Sequence, residues 1–251
     1  MKNTLQQFSL TILVVLFFGC STSSDGNANS NAINIPGPNV TDIDGNIYQS
    51  VKICNQTWTK SNLNVSKYTD GTPIPQVTNP YEWASITTGV WCYYENNTAN
   101  GSTYGKLYNW YAVMGIYNAS SAANPELRKK LAPLGWHIPT DAEWNQLTDC
   151  LGGESLAGAK MKSIGTIQAG TGIWNEPNTE ATNSSGFSGL PAGYLATNGS
   201  FWEHGFKGEW WSSSENEEAS AWLRQLIFSD IYVYSYPFYK NYGFSVRCVK
   251  D

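Results

Sequence analysis

The chain has 251 residues and a net charge of -5, with no basic cluster that could neutralise a run of phosphates, which argues against nucleic acid as a partner. Charged residues and aromatic residues each make up 14%, with 11 Trp and 15 Tyr, a balance that suits loop-rich secreted binding modules better than cytosolic enzymes. The length fits one large domain with a tether.

Met1-Lys2-Asn3 leads into an apolar run from Leu10 to Phe18 and then Gly19-Cys20. A basic tip, a short apolar core and a small residue before the cut predict an export signal over residues 1–19, too short to span a membrane. The string LFFGC, Leu16 to Cys20, resembles the bacterial lipobox, which makes Cys20 the lipidation site. The expected location is then the cell envelope, as an outer-membrane lipoprotein facing the periplasm or the exterior. Its membrane contact would be the acyl chains alone, since no second apolar stretch is long enough to cross a bilayer. Residues 20–38 are almost all Ser, Thr, Asn, Gly, Ala and Pro, which predicts a flexible tether, and 39–251 are expected to form a single domain.

In VTDIDGNIY, Asp44-Gly45 lies between short runs carrying Val40, Ile43 and Ile47, a hairpin signal. Asp42, Asp44 and Asn46 imitate the start of a calcium loop, but its glycine would fall at Ile47 and its closing glutamate at Ile53, so the turn is preferred. Val51 to Leu63 has extended character, and irregular turns follow through Thr103. Leu107, Trp110, Tyr111 and Met114 suit a short buried helix. The clearest helix begins after Thr140, where Glu143 completes a capping box and Gly152-Gly153 supply the stop; Trp144, Leu147, Cys150 and Leu151 share one face. GFSVRCV, Gly243 to Val249, alternates as a strand with Phe244, Val246 and Cys248 on one side.

Setting Cys20 aside leaves Cys54, Cys92, Cys150 and Cys248, an even number in an oxidising compartment with no C-x-x-C spacing, hence structural disulfides in one of three pairings. A cysteine on the buried helix face and one on the core face of the last strand are natural partners. Cys150 is therefore paired with Cys248, and Cys54 with Cys92.

GWHIPTDAEW (Gly135 to Trp144), TNSSGFSGLPAGY (Thr182 to Tyr194), WWSSSE (Trp210 to Glu215) and GFSVRCVKD (Gly243 to Asp251), in this order, resemble the Fibrobacter succinogenes major paralogous domain of surface lipoproteins. That family is similar in turn to the C-type-lectin-like and formylglycine-generating-enzyme fold. The resemblance implies an α+β domain with small antiparallel sheets, two or three short helices and long loops. It also implies a disulfide from first helix to last strand, which Cys150 with Cys248 would reproduce, and it carries no established activity.

No catalytic constellation is visible, so the chain is not read as an enzyme, and neither cofactor nor metal is predicted. There are only two histidines: His137 reads as a satisfied core group and His204 as exposed. Glu176-Pro177-Asn178 matches a sugar-binding calcium motif in letters but precedes FSGLPAGY, so it reads as a turn. Ligand contact is expected in the C-terminal half. Flat rings at Trp202, Trp210, Trp211 and Trp222, with Glu215 beside them, could cover sugar faces, although at least one of Trp210 and Trp211 is expected in the core. In DIYVYSYPFYKNY, Tyr232, Tyr234 and Tyr236 fall at period two and would share one strand face, with Arg224 and Asp230 as polar anchors. The expected role is a lipid-anchored surface module that binds glycans or partner proteins; the alternative is an assembly component of the envelope or of an adhesion fibre.

Overall fold

The computed structural model describes residues 34–251; the predicted signal, the lipidation residue Cys20 and the tether before residue 34 lie outside the described residues. β1 (Ile35–Pro36) comes first, ahead of Asn39 where the domain was expected to begin. It pairs along the outer edge of β4, with Ile35 opposite Lys52, and an edge is where a strand proline is tolerated. β2 (Val40–Thr41) and β3 (Ile47–Tyr48) form the expected hairpin. Asp42 closes it from within: Oδ1 accepts the Asp44 and Asn46 amides at 2.9 Å each, and Oδ2 accepts the Tyr48 hydroxyl at 2.5 Å. The carboxylate serves the turn, as an Asx turn requires.

β4 (Ser50–Ile53) and β5 (Gln56–Thr59) follow as a tight antiparallel pair. The irregular stretch then contains α1 (Pro80–Ser85), capped by Asn79 with proline at its first position, β6 (Trp91–Cys92) and α2 (Asn100–Tyr104). The helix expected over Leu107 to Met114 divides. Leu107–Tyr108 is β7, paired with β6, and only Trp110–Val113 is helical (α3), because Asn109 caps it by accepting the Ala112 amide at 3.0 Å. α4 (Ala119–Ala123) and β8 (Trp136–His137) precede α5 (Asp141–Cys150), whose predicted capping box is formed in both directions. A helix with no clear sequence signal, α6 (Glu154–Met161), comes next. The chain ends with β9 (Tyr194–Leu195), β10 (Phe201–Trp202), β11 (Lys207–Glu217), β12 (Ser220–Ile227), β13 (Val233–Tyr239) and β14 (Val249–Lys250).

Five strands in the order β1-β4-β5-β14-β8 make the larger sheet, and β11-β12-β13 make a three-stranded one. This second sheet is covered on both faces at its β11–β12 end. Trp211, Leu223 and Ala221 pack with Trp110, Phe244 and Val246, while Trp210, Leu226 and Val233 on the other face pack with Trp58, Trp144, Leu147 and Phe187. Adjacent residues on a strand point to opposite faces, so the Trp210-Trp211 pair places one indole in each cluster, and both are fully buried. Beyond Trp211 the register slips, and Ser212 to Ser214 bulge out of β11. Ser214 Oγ accepts the Asp141 amide at 3.0 Å, satisfying an N–H that the first turn of α5 leaves free.

Two expectations are corrected. Gly243 to Cys248 is not a one-faced strand. Tyr108 bonds Phe244 in both directions, Trp211 N donates to Ser245 O at 3.1 Å and Leu63 N to Val246 O at 2.9 Å, so the segment threads through the interior. The disulfide joins Cys54 to Cys150, and Cys92 and Cys248 are free and buried. The predicted alternation does bring Phe244, Val246 and Cys248 into one cluster, but the apolar face of α5 belongs to the other. Cys54, in the β4–β5 turn, is the cysteine that reaches Cys150. Burial pushes the Cys92 and Cys248 thiols well above their ordinary values, leaving them as packing groups.

Candidate functional site

The site begins with the period of a strand. Tyr232, Tyr234 and Tyr236 project from one face of β13 and the residue leading into it. Their rings are near-parallel, with centroids 5.9 Å apart at 27° for the first pair and 5.7 Å at 11° for the second. Tyr232 and Tyr236 are 46% and 42% exposed, so the row faces solvent. Directly opposed residues on neighbouring strands share a face, and here Tyr234 opposes Gln225, which opposes Glu209. Gln225 Nε2 donates to Glu209 Oε1 at 2.6 Å. Burial pushes the Glu209 carboxyl up to about 7, against the bond from Gln225, and its Oε2 has no partner among the described residues. A buried polar row thus runs inward from the middle ring.

Asp230 sets the ladder. Its Oδ1 accepts the Tyr232 amide and its Oδ2 the Tyr234 hydroxyl, both at 3.0 Å. Burial, then this carboxylate, raises the Tyr234 phenol above its ordinary value, which keeps the hydroxyl a donor. Asp230 is held in turn by Lys162, at the end of α6. The fully buried Lys162 ammonium donates to Asp230 O at 2.6 Å, Thr179 O at 3.0 Å and Ile227 O at 3.1 Å. Burial lowers it to about 8. Sequence reasoning missed Lys162, because a lysine in GAKMKS looks like any solvated helix residue; its signal was a position next to the buried Met161.

The other predicted contacts are scattered. Trp210 and Trp211 are core and cannot meet a ligand. Arg224 is 2% exposed and already committed: Nη1 donates to Asp141 Oδ1 at 2.6 Å and Ser235 Oγ at 2.8 Å, and Nη2 to Asn145 Oδ1 at 2.5 Å. It is a structural tie and not a free anchor. Trp222 opposes Pro237, which places it on the face away from the tyrosines. Glu215, exposed near the end of β11, is paired with Lys240. Trp202 is 53% exposed on β10, in the separate β9–β10 hairpin. The cohesive part of the predicted surface is therefore Asp230 with Tyr232, Tyr234 and Tyr236.

Both histidines depart from expectation. His137 is part-exposed, with Nδ1 at 2.6 Å from Asp251 and Nε2 at 2.7 Å from Glu143. His204 is half-buried against the rings of Tyr94 and Tyr104, with centroids 4.7 and 4.6 Å away. Asn178 donates to Ser163 O and Gly165 O at 3.0 Å each, holding the turn around Glu176-Pro177-Asn178. Among the described residues no three His, Cys, Asp or Glu side chains converge as metal ligands would.

No curated protein and no solved structure matches the chain. A family model, the Fibrobacter succinogenes major domain, matches residues 51–250, from β4 through the threaded C-terminal segment into β14. The chain therefore belongs to the Fibrobacter succinogenes major domain family.

Proposed function

We propose that this protein is a lipid-anchored cell-surface binding module, C-type-lectin-like in fold, that recognises glycans or partner proteins through the tyrosine ladder of β13. The observation that carries the reading is the row of three near-parallel tyrosines, exposed at both ends, the first two of which are held by one carboxylate. Tyrosine offers large amphipathic contact area at little conformational cost, and a rigid strand holds it ready. Recognition runs through the rings and hydroxyls and not through the strand edge. Pro237 lacks an N–H to offer an added strand, and edge prolines block such pairing. That same proline weighs against assembly by strand addition, the route a fibre subunit would take.

The test is a glycan array and a surface-protein pull-down with the soluble domain from Asn34 onward, in calcium and in EDTA. Saturable binding that survives EDTA and falls at least tenfold in the Tyr232→Ala, Tyr234→Ala, Tyr236→Ala triple variant is expected. Binding indifferent to that variant removes the ladder as the site. The anchor is tested separately, since Cys20→Ala should move the protein out of the detergent phase in Triton X-114 partition.

A further inference from the structure

A second concavity lies away from the tyrosine ladder, between α3, the segment 129–132, β8 and the start of α5. Its volume is about 290 Å³. The floor is apolar, formed by Val113, Leu131, Ala132, Trp136 and Ile138, all buried. Small-molecule sites have this make-up, an apolar floor with a few polar groups at the mouth, and this volume stands at the small end of their range.

The charges at the mouth do not cancel locally. Lys129 is paired with Asp70 and lies 4.4 Å over the Tyr117 ring, whereas exposed Lys130 has no carboxylate partner among the described residues. One positive charge is left over on that side. Across the pocket, each nitrogen of His137 meets a carboxylate oxygen, Asp251 Oδ1 at 2.6 Å and Glu143 Oε1 at 2.7 Å. An ionised carboxylate only accepts, so with both ionised each ring nitrogen carries a proton and the ring is a cation between two anions. The carboxylates outnumber the one imidazolium, so this side is net negative. Glu143 spends its second oxygen on the Thr140 amide and hydroxyl, both at 2.8 Å, while Asp251 Oδ2 has no donor among the described residues.

An apolar floor between one free cation and one free anion is complementary to a small zwitterion with an apolar side chain. We propose that this pocket binds a free apolar α-amino acid, its side chain against Trp136 and Ile138, its carboxylate on Lys130 and its ammonium on Asp251. The site is independent of the tyrosine ladder and stands whether or not the ladder binds anything.

Calorimetric titration of the full chain with leucine, valine and phenylalanine tests it, with leucinamide lacking the carboxylate and 4-methylpentanoate lacking the ammonium as matched probes. Saturable one-to-one binding of at least one amino acid is expected, at least tenfold weaker for each matched probe of leucine. Lys130→Ala, at an exposed position that leaves the fold intact, should weaken the amino acid at least tenfold and leave leucinamide unchanged. Ala132→Phe, which fills the floor, should abolish binding of all three. No saturable binding of any amino acid overturns the proposal, and so does equal affinity for leucine in wild type and Lys130→Ala.

Discussion

Arg224 on β12 donates Nη1 to Asp141 Oδ1 at 2.6 Å, and this ion pair ties the first turn of α5 to the central strand of the three-stranded sheet. The partners are unequally placed: the arginine side chain is 2% exposed and the aspartate 28%. Removing one partner of a buried pair leaves the other charge stranded, and the cost falls mainly on the more buried one. Asp141→Asn should therefore destabilise by about 3 kcal/mol. Arg224→Met should cost less, since Asp141 can be rehydrated and the methionine packs in its place. Urea unfolding of both variants checks the order, and the reverse order would mean that Arg224 is not buried as a charge.

The Cys54–Cys150 bridge closes a separation of 96 residues, for which the chain-entropy model gives about 4 to 5 kcal/mol. Replacing both cysteines by serine should lower the unfolding midpoint sharply. Peptide mapping without reductant should recover Cys54 joined to Cys150, with Cys92 and Cys248 labelled by a thiol reagent only after denaturation. Labelling of either in the native state would show that these thiols are not packed as described.

What was legible in the sequence was what is decided locally. The capping box of Thr140 and Glu143 spans three residues and forms as read, and the tyrosines at period two share a face because a strand leaves them no alternative. The cysteine pairing was not legible, although the helix face was read correctly and Phe244, Val246 and Cys248 do share a cluster without forming the expected strand. It depended on which side of the three-stranded sheet each segment would fall, and no spacing within either segment carries that information. Trp210 and Trp211 lie between these cases. Two adjacent buried indoles require a strand covered on both faces, which was deducible from the residues once both were allowed to be core.

His137 makes stability depend on pH. Burial alone would lower its pKa, but the bonds to Asp251 and Glu143 outweigh that and raise it above the ordinary value near 6.5. Its contribution is therefore complete below about pH 6.5 and is lost as pH climbs through the raised value. Glu143 behaves oppositely. Burial opposes ionisation, but its bonds with Thr140 and His137 lower its pKa, so its contribution is present above about pH 4.5 and is lost as pH falls through the lowered value. The contact between strand and helix should thus be strongest at about pH 4.5 to 6.5. His137→Gln should be less stable than wild type at pH 6, with the gap narrowing by pH 9. An equal gap at both would mean that the native imidazole is uncharged.

Lys162, Asp230 and Tyr234 form a relay whose two ends separate by experiment. Asp230→Ala removes both acceptors of the ladder but leaves the backbone carbonyl that Lys162 holds. The part-exposed turn should lose no more than about 1 kcal/mol, the ordinary net worth of such bonds. The Tyr234 phenol, freed of the carboxylate, should titrate at lower pH, a shift that NMR of ring-labelled tyrosine reads directly. Lys162→Met does the converse. It leaves the carboxylate in place and strips the carbonyls of Thr179, Ile227 and Asp230 of their donor, so it should cost about 3 kcal/mol. If Asp230→Ala weakens ligand binding as much as removing the three rings while stability holds, the carboxylate acts by aiming the rings. If Tyr234 titrates identically in both proteins, the 3.0 Å bond does not govern the ladder, and ring packing alone must hold it.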